Sequence, residues 1–235
     1  MSLKKYALIS LAVIIGLVAT AGFVVVKKIY TPTQGKKISK YPNPQKALLV
    51  IDVQEDYTGL KGKQPVLFKG VEGRIATINR LIDNASESGM KVAYVRQLFD
   101  DNFIVRLLGG RTIEGQPGTE LDSRIRIINQ NDFTKKISDA FSNPRLDDFL
   151  IQNQVDEVYL VGLDAAYCVY YTALGARNRG YKVTAVSDAI MTRKDMDDIL
   201  KRYEKDGILL TSSKEIIGMH NKSLKRVSAK SRRAP

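Results

Sequence analysis

The segment DEVYLVGLDAAYCVYYTALGARNRGYKVTAVSDA, Asp156 to Ala189, constrains the fold of this chain more than any other stretch. Val158–Val161 is short, apolar and partly β-branched, as a buried strand should be. Gly162 ends it. From Cys168 small and apolar residues recur at helical spacing until Arg179-Gly180, where glycine is the expected stop. Val183–Val186 is then a second buried strand. A strand–helix–strand unit of this kind requires a parallel sheet, and ligands of such sheets bind beyond the carboxyl ends of the strands.

The only cysteine, Cys168, falls where the loop after the first strand becomes the helix. Backbone N–H groups and the helix dipole at that place favour a thiolate. The competing reading is a buried core cysteine, because free Cys is among the most buried residue types.

The rest of the body continues the α/β pattern. ALLVIDV, Ala47–Val53, is the first strand and carries Asp52 at its carboxyl end. A carboxylate there is costly to bury without a partner. Glu55 and Asp56 follow in an acidic loop, which reads as a solvated turn rather than a metal site. Glu72–Ser88 is an amphipathic helix closed by Gly89, and Lys91–Val95 is the second strand. Leu98 to Gln130 has no strong period, and a connection of that length is usually functional, as a lid is. Asn131–Thr134 is a short strand, followed by Lys135 and Lys136. A helix begins at Pro144, another spans Asp195–Lys205, Ile208–Leu210 is a last strand and Lys214–Ile217 a turn. The pattern predicts a three-layer α/β/α, Rossmann-like domain with a mostly parallel sheet.

The two ends differ from this body. Tyr6–Val26 is a charge-free apolar run of 21 residues between Lys4-Lys5 and Lys27-Lys28, long enough to cross a bilayer as a helix. A cleaved signal peptide is the alternative, with Ala19-Thr20-Ala21 as its small-residue site, but the apolar run continues past that site. The expectation is an N-terminal transmembrane anchor over residues 1–30. Residues 31–46, rich in Pro, Gly and Lys, form a linker that should act as an extended tether and leave the body's chemistry independent of the anchor. The domain proper covers 47–220, and 221–235 is a basic tail expected to be disordered.

Charge follows the same division. Of 37 Lys and Arg, seven lie in 1–40 and six in 221–235, which leaves 24 against 25 Asp and Glu in the body. A near-neutral body is not that of a nucleic-acid binder. The basic ends suit anionic membrane lipid instead. Lysines after the apolar run outnumber those before it, which places the body weakly on the cytoplasmic side. A single His, His220, rules out a multi-histidine metal site.

Asp52, Lys135 and Cys168 would all stand at the carboxyl edge of a parallel sheet. A thiol nucleophile needs a base, which Asp52 can supply, and a lysine beside both favours their charged forms. Three motifs now bear on one family. ALLVIDVQEDY, TKKISDAF and VGLDAAYCVYYTALGARNRGYKVTAVSDA, between Ala47 and about Leu210, resemble the isochorismatase-like cysteine hydrolases, the superfamily of nicotinamidases and N-carbamoyl amidohydrolases.

The resemblance implies an Asp52–Lys135–Cys168 triad, with Lys135 chosen over Lys136 by the Phe six residues later. It also implies a cis peptide at Leu163-Asp164 and an oxyanion hole from the Asp164 and Cys168 backbone N–H groups. Tyr57, Phe141 and Tyr167 are expected to line the substrate pocket. Metal-containing relatives bind their ion through an Asp and several His after the second strand; no His stands there in this chain, so no metal and no other cofactor is expected. Thr-Asp, often found before the Tyr-Cys pair, is replaced by Ala165-Ala166. The implied activity is hydrolysis of a small amide or carbamoyl C–N bond through a thioester. A catalytically idle, membrane-tethered scaffold on the same fold is the alternative. Homo-oligomers are plausible on the same resemblance.

Overall fold

The computed structural model describes residues 3–60, 62–63, 68 and 70–219, with the side chains of 3–12, Ile14 and Val18 outside that set. The basic tail and His220 lie outside it as well.

Six strands, β1 (Gln45–Ile51), β2 (Lys91–Gln97), β3 (Asp132–Lys135), β4 (Val155–Leu163), β5 (Lys182–Met191) and β6 (Leu209–Thr211), form one sheet in the order β3-β2-β1-β4-β5-β6. Every neighbouring pair is parallel. The central strands are buried on both faces, and alternate residues of β1 feed two separate cores. Ala47, Leu49 and Ile51 enter one, Leu48 and Val50 the other. This is the period-two logic of a strand covered on both sides.

The helices supply the two outer layers. α2 (Val71–Ser88) packs Ile75, Ile78, Leu81 and Ile82 against one face, and Ile216, from a helix over residues 213–219, joins the same core. The sequence suggested only a turn at that place. α4 (Pro144–Gln152), α5 (Cys168–Asn178) and α6 (Met196–Lys205) cover the other face with Leu146, Leu150, Val169, Ala173, Ile199 and Tyr203. Several of these boundaries follow local chemistry. Gly89 in the left-handed region ends α2, Asn143 and Pro144 start α4, and the Asp195 side chain accepts from Asp198 N–H at the start of α6. The long connection after β2 holds only the five-residue α3 (Phe103–Leu107) and one 3₁₀ turn, Pro117–Thr119.

The expected three-layer domain is therefore present, and its sheet is wholly parallel. The N-terminal expectation fares differently. α1 (Leu3–Ile29) is a helix, but among the described residues no helix is long and apolar enough to cross a membrane. The expected anchor at Tyr6–Val26 rests partly on side chains outside the described set.

Residues 31–44 contain neither helix nor strand, yet they are not a free tether. Thr33 donates from both its N–H and its Oγ1 to Asp139 Oδ2, each at 2.7 Å. Ile38 N–H donates to Arg179 O at 2.8 Å.

Candidate active site

In the order β3-β2-β1-β4-β5-β6 the chain reverses its direction of travel between β1 and β4. Loops leaving those two strands diverge and open a crevice at the carboxyl edge. Asp52 follows β1 immediately, and Cys168 opens α5 just past β4. Lys135 is the last residue of β3, two strands away, and its long side chain crosses the end of β2 to reach them.

The three groups meet. Lys135 Nζ lies 2.8 Å from Asp52 Oδ2 and 3.3 Å from Cys168 Sγ. Asp52 and Lys135 are buried, and Cys168 is half-buried. Asp52 adopts φ 54°, in the left-handed region that a non-glycine residue enters at a cost of roughly 1–3 kcal/mol. Its N–H donates to Val95 O at 2.8 Å, which holds the bend. Asp52 Oδ2 is taken by Lys135, whereas Oδ1 is buried without a hydrogen-bond partner.

Electrostatics sets the resting protonation. Burial raises the pKa of Asp52 above the ordinary carboxylate value, although Lys135 pulls against it. Burial alone would lower Lys135; the charges of Asp52 and Cys168 outweigh it and the net shift is upward. Burial, with Asp52 adding to it and Lys135 opposing, pushes the Cys168 thiol up to about 12. The sequence suggested a thiolate favoured by the helix terminus. Burial of the sulfur instead raises the thiol's pKa, against the pull of Lys135.

Around this cluster lies a cavity of about 290 Å³, at the small end of ligand pockets, which run from roughly 300 to 1,000 Å³. Tyr57 and Tyr167 line it. Phe141 does not. It is buried in the core under the Arg179 guanidinium, 4.7 Å from the ring centroid, and against Tyr181. The peptide between Leu163 and Asp164 is cis. Tyr167 N–H and Val169 N–H both turn back to Asp164 O, while neither the Asp164 nor the Cys168 N–H takes part in these turns.

Two glutamines escaped the sequence reading. Gln97 at the end of β2 accepts from Lys135 Nζ through Oε1 at 2.6 Å and donates through Nε2 to Lys135 O at 2.9 Å. Gln54 in turn accepts from Gln97 N–H at 2.7 Å and donates to Gln97 O at 3.0 Å. Together they fix the lysine's end of the cluster. Nothing in the local sequence marks them, since their role depends on which strands are neighbours.

The acidic loop is not solvated, contrary to the sequence reading. Asp56 is buried and accepts from Thr112 N–H at 2.7 Å; Glu55 accepts from Ser123 N–H at 2.8 Å. After β2, Asp100 pairs with Lys136 and Asp101 with Arg106. Among the described residues no group of three or more His, Cys, Asp or Glu could hold a metal ion.

The parallel three-layer domain thus carries a cysteine at the switch of its strand order, beside a carboxylate and a lysine. Known proteins agree on the family. The isochorismatase domain model matches residues 46–214, and the chain belongs to the isochorismatase family. The nicotinamidase of Escherichia coli (strain K12) is 26% identical over 178 residues, covering 62% of this chain and 82% of that protein. Among solved structures, N-carbamoylsarcosine amidase from Thermoplasma acidophilum superposes with a TM-score of 0.61 at 28% identity, over 72% of this chain and 96% of its own. A nicotinamidase from Bacillus subtilis superposes with a TM-score of 0.64 at 25% identity, over 72% of this chain and 99% of its own.

Proposed function

We propose that this chain is a cysteine amidohydrolase that cleaves a small amide or carbamoyl C–N bond through a thioester. The observation that carries the reading is the Asp52–Lys135–Cys168 cluster, whose Asp52 and Cys168 line one cavity and whose Asp52 Oδ1 has no hydrogen-bond partner. Relatives that act on amides, nicotinamidase and N-carbamoylsarcosine amidase, support it.

The chemistry follows from the protonation pattern. A thiol with a pKa of about 12 is not a nucleophile at neutral pH, so its proton must leave as sulfur attacks. Asp52 Oδ1 takes that proton while Sγ bonds to the substrate carbonyl carbon. The carbonyl oxygen becomes an oxyanion, received by the N–H groups of Asp164 and Cys168; one such donor is worth about 3–4 kcal/mol. Asp52 returns the proton to the departing nitrogen, and the C–N bond breaks to leave a thioester. Water then attacks the thioester carbon, giving a proton to Asp52. Collapse releases the acid, and the proton returns to sulfur. Lys135 stays protonated throughout and keeps Asp52 charged until it is needed.

The anchor belongs to the same proposal. A charge-free run of 21 residues between lysine pairs supports attachment of the amidohydrolase to a membrane. The body lies on the cytoplasmic side, and the basic tail lies against anionic lipid.

Ammonia release across a panel of small amides and carbamoyl compounds tests the activity. Cys168→Ala should abolish turnover while circular dichroism shows the fold unchanged. Turnover by the folded variant would remove the cysteine mechanism, and no turnover of any panel compound by the wild type would favour the scaffold.

A further inference from the structure

The catalytic cavity has a wall that the isochorismatase domain, residues 46–214, does not contain. Ile29, the last residue of α1, and Tyr30, the next, line the cavity together with Cys168. The Tyr30 ring packs against Tyr167, the residue before the cysteine, with centroids 5.6 Å apart, and against Tyr171 at 5.5 Å. Tyr30 and Tyr167 each remain 38% exposed, so part of each ring is open to a ligand. Burial, followed by the nearby Tyr167 and Cys168, raises the pKa of Tyr30.

The segment is seated rather than draped. Ser138 N–H donates to Ile29 O at 3.2 Å. Thr33 satisfies Asp139 with two hydrogen bonds, and Asn178 Nδ2 donates to Thr33 O at 2.9 Å. Arg179 Nη1 donates to Thr33 Oγ1 at 3.0 Å. A Cβ on Gly175 would stand 2.2 Å from Asp139 Oδ2, and one on Gly35 would stand 2.5 Å from the Arg179 guanidinium. Ser138 and Asp139 follow Lys135 on one loop, and Gly175, Asn178 and Arg179 belong to the end of the helix that Cys168 begins. The two elements that supply Lys135 and Cys168 therefore also hold the wall.

We propose that Tyr30, held by the Thr33 clamp and backed by Tyr167, is a specificity-determining residue that selects substrates carrying a flat, apolar group beside the scissile carbonyl. The inference rests on Cys168 being the group that attacks that carbonyl. The flat group lies on the open parts of the two rings while the carbonyl is at sulfur. Contact between aromatic rings adds to simple burial, and the small cavity leaves room for one ring-sized group.

Cys168 is the only cysteine, so its alkylation can be followed in the full-length chain without ambiguity. The experiment compares rates with iodoacetamide and with its N-phenyl analogue, 2-iodo-N-phenylacetamide. Both reagents draw on the same thiolate fraction, so the ratio of rates cancels any change in the thiol's ionisation. Tyr30→Ala should lower the phenyl-to-parent ratio by about three- to tenfold, the scale of one aromatic contact. Tyr30→Phe should keep the ratio, and Thr33→Val should lower it in the same direction by loosening the clamp. An unchanged ratio in Tyr30→Ala, with amide hydrolysis intact in the wild type, overturns the wall and leaves the hydrolase standing. A lowered ratio in a chain that hydrolyses no amide supports the wall and overturns the hydrolase.

Discussion

At the scale of single residues, the two adjacent lysines separate by burial. Lys135 is buried against Asp52, and Lys136 is exposed and pairs with Asp100 at the surface. Lys135→Ala would leave the Asp52 carboxylate buried without its cation, a loss of about 3–5 kcal/mol in addition to lost activity. Lys136→Ala should remain near wild type in urea denaturation and in turnover. Turnover and denaturation of both variants check this, and a dead Lys136→Ala would place the catalytic lysine one residue on. On the proposed mechanism, Asp52 also sets the acid side of the pH profile. It acts as a base only as the carboxylate, and burial holds its pKa above an aspartate's ordinary 3.8. Activity should therefore fall, as pH drops, at a value above 3.8. Because Lys135 is shifted upward, no loss from its deprotonation is expected near neutral pH. A kcat/KM profile with its acid limb at or below 3.8 would count against Asp52 as the base.

At the scale of elements, β4 is the piece that cannot be altered. Its Gly162 adopts φ 108°, and a Cβ there would stand 2.1 Å from Ile51 O on the neighbouring strand. The strand end therefore runs close against β1, which sets the separation of Asp52 and Cys168. Gly162→Ala should lose at least about 2 kcal/mol in urea denaturation, from the strained φ and the clash together. Wild-type stability would show that the strand can shift aside. Much of this element structure is legible in the sequence, because strand and helix here each have local chemistry, a β-branched run and a regular apolar period; Gly162, read as the strand's stop, instead lies inside β4. The meeting of Asp52, Lys135 and Cys168 is legible for the same reason, since parallel strands put their carboxyl ends on one edge. Gln97, Gln54 and Tyr30 are not. Their partners are set by strand order and by a segment folding back, neither of which leaves a mark on neighbouring residues. Phe141 misleads for the converse reason: an aromatic residue near Lys135 in the chain can as well turn into the core, and here Arg179 and Tyr181 receive it.

At the scale of the whole molecule, the ends and the body answer to different physics. The body carries nearly balanced charge, while the excess of positive residues is confined to the flanking segments. If Tyr6–Val26 spans a bilayer, the full-length chain should stay in the membrane fraction through a high-salt wash. Release by salt alone would mean that charge and not an apolar helix holds it there. Such a helix would not be remote from the chemistry, because Ile29 and Tyr30 reach the cavity.

The strand that carries Lys135 is one of the two short strands at the edges of the sheet. β3 is four residues long, lies at the edge and pairs only with β2. Short edge strands open locally at lower free energy than central ones. Each such opening withdraws the ammonium from Asp52 while β1 and β4 keep the other two groups in place. On the proposed mechanism, fraying at this margin would lower the fraction of molecules competent for turnover, and Gln97, which bonds Lys135 through both side chain and backbone, opposes it.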